Sequence, residues 1–204
     1  MKLKRTHNSR PDTLKIGLLG GTFNPVHYGH LKMAFSVQRA LNLKKVIFIP
    51  SAHPPHKEEK GLPSPGDRYE MAKLAILCNP DFSISDIELK RRGKSWTINT
   101  VRIIKKLYPE SQIYFIIGAD TVPEIPTWKD YKKLLKTCRF VVVNRPGCPI
   151  KDCRLKIADF IRVKIRGVNI SSTEIRKRIK DGMEIRNFVP PGVEKYIKEK
   201  GLYK

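Results

Sequence analysis

At 204 residues, with 40% apolar and 29% charged residues, the chain has the size and balance of a globular protein with a real core. No apolar run approaches a membrane span, and the polar, basic Met1–Thr13 lacks the apolar stretch of a signal peptide. The 41 Lys and Arg against 19 acids leave a formal charge of +22, which raises nucleic acid as a partner. The cations are nevertheless dispersed in short groups such as Lys44-Lys45, Lys90-Arg91-Arg92 and Arg176-Lys177-Arg178, with no RNA- or DNA-binding module pattern around them.

In chain order, residues 1–14 read as a basic, mobile extension and 15–204 as a single domain. The apolar run Lys15–Leu19 predicts a first strand. Leu31, Ala34, Phe35 and Leu41 then fall on one face of a helix over Tyr28–Leu41. Further strands are expected at Val46–Pro50, Phe82–Ile84, Ile113–Ile117, Phe140–Asn144 and Phe160–Val163. Further helices are expected at Pro65–Leu77, Thr97–Leu107, Trp128–Leu135, Ser172–Lys180 and Pro191–Lys198, the last opened by Pro190-Pro191 and stopped by Gly201. This alternation predicts an α/β fold with a doubly wound, mostly parallel sheet. Right-handed crossovers put the strand carboxyl ends on one edge, where ligands bind in such sheets. Gly20-Gly21, the loop Ser51 to Lys57, Gly118-Ala119-Asp120 and Asn144-Arg145-Pro146 all fall on that edge. Among Cys78, Cys138, Cys148 and Cys153 there is no C-x-x-C; the first two read as core thiols, and nothing calls for an oxidising compartment. The cytoplasm is the expected location.

Two segments carry the chemistry. In Gly20-Gly21-Thr22-Phe23-Asn24-Pro25-Val26-His27-Tyr28-Gly29-His30 a strand passes through a Gly-Gly turn into a helix. The glycines permit close approach or a positive φ, and the free N–H groups and dipole of the helix favour an anion such as phosphate. His27 and His30, one turn apart, share a face, which suggests chemistry on a phosphoanhydride. The spacing is not that of a dinucleotide-binding G-x-G-x-x-G. In Asn169-Ile170-Ser171-Ser172-Thr173-Glu174-Ile175-Arg176 a helix start gathers hydroxyls and free N–H groups, with a guanidinium one turn on. That string reads either as a second phosphate site or as a helix cap. Two rival classes stay open: a zinc protein using His27, His30, His53 and His56, and an RNA-binding domain driven by charge alone.

The first segment resembles the GGTFxPxHxGH signature of the nucleotidyltransferase superfamily, and the second its ISSTxIR motif. Three more resemble one branch, the bacterial nicotinate-nucleotide adenylyltransferases. These are Pro50 to Lys57 (P-x-x-x-P-P-H-K), Ser95 to Thr100 (S-Y-T-x-x-T, with Trp96 where tyrosine is usual), and Gly118-Ala119-Asp120 with Thr127-Trp128-Lys129 (G-A-D…W). Asn24 stands where many members have Asp, and Lys129 where an aromatic is frequent. The resemblance runs from about Lys15 to Tyr203. It implies a Rossmann-like nucleotidyltransferase fold and transfer of AMP from ATP to nicotinate mononucleotide, giving nicotinate adenine dinucleotide and pyrophosphate. It implies catalytic roles for His27, His30 and Arg176. It implies ATP binding by Gly20, Gly21, Thr22, Phe23, Gly118, Asp120, Arg145, Ser171, Ser172 and Thr173. The acceptor falls to Lys57, Thr97, Ile98, Trp128 and Lys129. Mg2+ is expected to ride on the ATP phosphates without dedicated protein ligands, and neither nucleic acid nor membrane is expected as a partner.

Overall fold

The computed structural model describes residues 13–55, 61–144, 160–165 and 170–204. Its strands are β1 (Lys15–Gly21), β2 (Lys45–Pro50), β3 (Phe82–Ile84), β4 (Gln112–Gly118), β5 (Arg139–Asn144) and β6 (Ile161–Lys164). Its helices are α1 (Tyr28–Leu41), α2 (Pro65–Ile76), α3 (Thr97–Leu107), α4 (Tyr131–Thr137), α5 (Ser172–Lys180) and α6 (Pro191–Glu199). All pairings are parallel, in the order β3-β2-β1-β4-β5-β6. The expected extension at 1–14 lies almost wholly outside the described residues.

Strands buried on both faces need apolar side chains at every position. In β2, Val46 to Ile49 are at most 4% exposed, and in β5, Phe140 to Val143 at most 2%. Alternation divides them between two cores. Val46, Phe48, Ile116 and Val141 meet Met33 and Val37 of α1, Met71 of α2, Ile175 of α5 and Ile197 of α6. Leu18, Ile49, Ile117 and Val142 meet Ile98 and Val101 of α3, Leu134 of α4, and Val122 and Ile125 of the segment between β4 and α4. The chain runs outward from β1 to β3, then returns to place β4 on the other side of β1. This reversal of strand order opens a crevice between the carboxyl ends of β1 and β4.

Three expectations need correction. The helix expected at Trp128–Leu135 begins at Tyr131, and it is preceded by a 3-10 helix over Ala119–Thr127, where the sequence pattern predicts no element. Its buried residues Ala119, Val122 and Ile125 recur every three positions, the 3-10 repeat, and Pro123 and Pro126 lack the N–H groups an α-helix would use. Gly20 and Gly21 do not form a turn: they end β1 in extended form, and the left-handed residue is Phe23, at φ 49°. Cys138 is buried as expected, but Cys78 is exposed, two residues beyond the last buried position of α2.

Candidate active site

The crevice is a cleft of about 790 Å³. Its first wall is the start of α1. His27 is the N-cap and accepts from Gly29 N at Nδ1 (3.1 Å), while His30 Nδ1 accepts from His27 N (3.3 Å). The two histidines therefore close a reciprocal capping box on the helix start. An imidazole that accepts at Nδ1 carries its ring proton on Nε2, so the donor of each ring is its Nε2–H. The rings stack 3.8 Å apart, and Phe23 meets His30 edge-on at 5.1 Å. Gly29 makes this possible, since a Cβ there would lie 2.9 Å from the His27 ring. Elsewhere on the edge, Asp120 folds its carboxylate back against Gly118, where a Cβ would collide with Oδ1.

The second wall is the start of α5. Ser171 is its N-cap, with Oγ accepting from Glu174 N at 3.1 Å, so the capping reading holds for that residue. Ser172 Oγ donates to Pro25 O at 3.0 Å. Arg176 donates from Nη1 to Asn24 O at 2.9 Å and from Nη2 to Thr173 Oγ1 at 3.3 Å. This helix thus braces the loop between β1 and α1 across most of the chain. Among the described residues, the N–H groups of Ser172 and Thr173 have no protein acceptor.

The third wall is the start of α3 with the end of the 3-10 helix. Trp96 is the N-cap of α3 and supplies no side-chain cap. Asn99 N and Thr100 N return to Trp96 O, whereas Thr97 N and Ile98 N have no protein acceptor among the described residues. Thr97 lines the cleft, but the Ile98 side chain is 0% exposed in the core, so Ile98 can act only through its main chain. The Trp128 ring stands edge-on to Phe115 at 6.0 Å, and the main-chain N–H of Trp128 donates to Ile125 O at 3.0 Å. Lys129 Nζ lies 5.5 Å over the Trp96 ring, so the two unusual residues of these motifs meet in a cation–π contact.

The cleft thus gathers His27, His30, Gly20, Gly21, Thr22, Phe23, Gly118, Asp120, Ser171, Ser172, Thr173, Arg176, Thr97, Trp128 and Lys129. Lys57 and Arg145 lie outside the described residues, as does His56. Among the described residues no three His, Cys, Asp or Glu side chains converge. The sequence reading missed Glu88 and Thr100, which line the cleft joined by a 2.5 Å bond from Thr100 Oγ1 to Glu88 Oε1. It also missed Arg68, which shares the buried face of α2 with Met71, Ala72 and Ile76. The available signal was a charge at the head of an apolar stripe spaced i, i+3, i+4, i+8.

Behind α2, Asp67 accepts from Tyr196 Oη at 2.9 Å and from Ser64 Oγ at 2.6 Å. The Ser64 bond is the main cause holding the Asp67 carboxyl below its usual range, against the opposing effect of burial. Burial, then the Asp67 bond, push the Tyr196 phenol up to about 12. Burial likewise raises the Tyr203 phenol, against the opposing charges of Arg176 and Arg68.

The cytidylyltransferase-like family profile matches residues 18–178. A Desulfitobacterium hafniense protein named "Probable nicotinate-nucleotide adenylyltransferase" is 41% identical over 198 residues, covering 93% of this chain and 96% of that one. A Shouchella clausii protein of the same name is 46% identical over 189 residues, with 93% and 96% covered. The fold is similar to that of Plasmodium falciparum nicotinic acid mononucleotide adenylyltransferase complexed with NaAD. The TM-score is 0.79 at 21% identity, covering 93% of this chain and 97% of that one. With identity at this level along nearly the whole length of each protein, the chain belongs to the nicotinate-nucleotide adenylyltransferase family, within the cytidylyltransferase-like group.

Proposed function

We propose that the chain transfers AMP from ATP to nicotinate mononucleotide, releasing nicotinate adenine dinucleotide and pyrophosphate in NAD biosynthesis. One observation supports this reading above the others. A single cleft at the sheet's switch point joins two helix starts suited to phosphate with a third, uncapped start beside Trp128, suited to a small planar carboxylate. A phosphate oxygen of the mononucleotide attacks the α-phosphorus of ATP. The bond from that phosphorus to the bridging oxygen breaks, and the electron pair leaves with pyrophosphate. Both the attacking group and the leaving group are competent anions, so alignment and charge stabilisation suffice.

His27 and His30 donate from Nε2 to the α- and β-phosphates. The main chain from Gly20 to Phe23 lies along the nucleotides. The open N–H groups of Ser172 and Thr173, with Arg176, hold the departing β,γ-phosphates; Ser171 contributes by setting the helix start. Gly118 and Asp120 take the adenosine, with Arg145 assigned there from the sequence. Lys57 is assigned to the incoming phosphate on the same basis. Trp128 stacks on the pyridine ring, and the N–H groups of Thr97, Ile98 and Lys129 face its carboxylate. Mg2+ is assigned to the polyphosphate, whose hard anionic oxygens are the ligands such an ion prefers. When bound, the ion neutralises phosphate charge. No helix among the described residues is long and apolar enough to cross a membrane, and the cytoplasm is the proposed location. The test is pyrophosphate release with ATP and a panel of acceptors: nicotinate mononucleotide, nicotinamide mononucleotide, phosphopantetheine and a no-acceptor control. Release with nicotinate mononucleotide far above the others is expected; equal rates across the panel would overturn the reading.

A further inference from the structure

We infer that Arg68 is a positioning residue that holds the ATP-side loop and the acceptor-side loop in one fixed register; this rests on the adenylyl-transfer reading above. Arg68 is 1% exposed. Its Nη1 donates to Thr22 O at 2.9 Å and also to Ser51 O, its Nη2 to Ala52 O at 3.0 Å, and its Nε to Pro63 O at 3.2 Å. Thr22 belongs to the loop after β1, which runs along the nucleotide. Ser51 and Ala52 open the loop after β2, whose Pro54 and Pro55 line the cleft. Pro63 leads into α2. One side chain therefore ties together the connections that leave two adjacent strands.

The chemistry fits only a guanidinium. The four partners among the described residues are all carbonyl oxygens, which calls for several donors in a planar fan. A lysine keeps the charge but cannot span these directions at once. Burying the charge is costly unless its donors are satisfied, and an apolar replacement would leave those carbonyls short of a donor. The loop after β1 has a second, independent brace, since Ser172 holds Pro25 O and Arg176 holds Asn24 O. Removing the Arg68 clamp thus leaves the phosphate wall in place and loosens its register with the acceptor loop. In-line transfer tolerates little misplacement of the attacking oxygen, so the loss falls on turnover rather than on ATP affinity.

The experiment compares wild type, Arg68→Lys and Arg68→Ala. It reads kcat, KM for both substrates, ATP Kd by calorimetry without acceptor, and amide hydrogen exchange in residues 20–25 and 51–55. Arg68→Lys is expected to lose about 10- to 100-fold in kcat, with ATP Kd within about threefold of wild type. Exchange should quicken in both loops together. Added methylguanidinium should restore turnover to Arg68→Ala and leave wild type unchanged. Wild-type kcat in Arg68→Lys, faster exchange in one loop alone, or a folded Arg68→Ala that methylguanidinium fails to rescue would each overturn the inference. If Arg68→Ala does not fold, the lysine variant decides. Should wild type itself fail to use nicotinate mononucleotide, the functional reading falls, while the exchange arm still tests the clamp.

Discussion

Helices α1 and α3 both begin in the cleft, and they begin in opposite ways. At α1 the first-turn donors are spent inside the protein: Tyr28 N on Phe188 O, Gly29 N on His27 Nδ1 and His30 N on His27 O. What α1 offers a ligand is therefore side chain, two imidazoles held by their own capping box. At α3 no side chain caps the start, and the N–H groups of Thr97 and Ile98 remain. What α3 offers is main chain. A missing cap typically forgoes about 1 kcal/mol of stability. The difference suits the two tasks proposed for these helix starts. Charge that grows on a phosphate during reaction calls for directed donors fixed in advance, whereas a ground-state carboxylate is held well by any rigid pair of N–H groups.

The largest effect expected from this contrast is acceptor choice. A carboxylate only accepts hydrogen bonds, while a carboxamide turns an NH2 toward one of the same donors. A bond to a charged group contributes about 1.5–3 kcal/mol, and a buried unpaired donor costs about 1–3 kcal/mol more. Wild type should then favour nicotinate over nicotinamide mononucleotide by about 10²–10⁴ in kcat/KM. The contrast breaks if α3 is capped. In Trp96→Asp the new carboxylate competes for the helix start, and the preference should collapse, chiefly through a higher KM for the acid form. Lys129→Ala should retain most of the preference, because the proposed donors at 129 and in α3 are main-chain.

Next in size is the side-chain wall. His30→Ala removes one Nε2–H donor and half of the capping box. We expect kcat to fall by about 10²–10³ with little change in ATP Kd measured by calorimetry. A folded His30→Ala enzyme with near-normal kcat would remove this residue from catalysis. Arg176→Lys keeps a charge but loses the fork that reaches Asn24 O and Thr173 Oγ1 together. ATP binding should weaken by about tenfold, the size of one lost charge-assisted bond, with KM for the acceptor nearly unchanged. Unaltered ATP affinity in Arg176→Ala would reduce the α5 start to a brace for the neighbouring loop.

The smallest expected effect lies away from the cleft, where α2 and α6 meet through Asp67 and Tyr196. Tyr196→Phe should cost about 1 kcal/mol at neutral pH, discounted for the partial exposure of the pair, as read by denaturant melts. Asp67 is held below its usual carboxyl range, so its contribution is present above about pH 3.8 and is lost as pH falls through its lowered value. Tyr196 is raised to about 12, so its contribution is present below pH 10 and is lost as pH rises toward 12. The gap between wild type and variant should therefore close at both extremes.

Local features were readable without coordinates because their partners are close in sequence. The capping box joins His27 and His30, three positions apart, so H-x-G-H spacing alone puts both imidazoles on one face. Strands buried on both sides appear as unbroken apolar runs, and the bounds expected for α1, α3 and α5 agree with those observed. Tertiary structure decided the rest. The brace from Ser172 to Pro25 joins residues 147 apart, and the Arg68 clamp draws on carbonyls at 22, 51, 52 and 63. Carbonyl acceptors leave no mark in sequence, since every residue has one. Nor could the sequence show that Ile98 turns its side chain into the core while its N–H stays open. Cys78 illustrates the same limit: its apolar neighbours suggest burial, but α2 ends at Ile76 and leaves the thiol exposed. Periodicity reports what a helix or strand requires of its own side chains; which main-chain groups remain free depends on how distant segments meet.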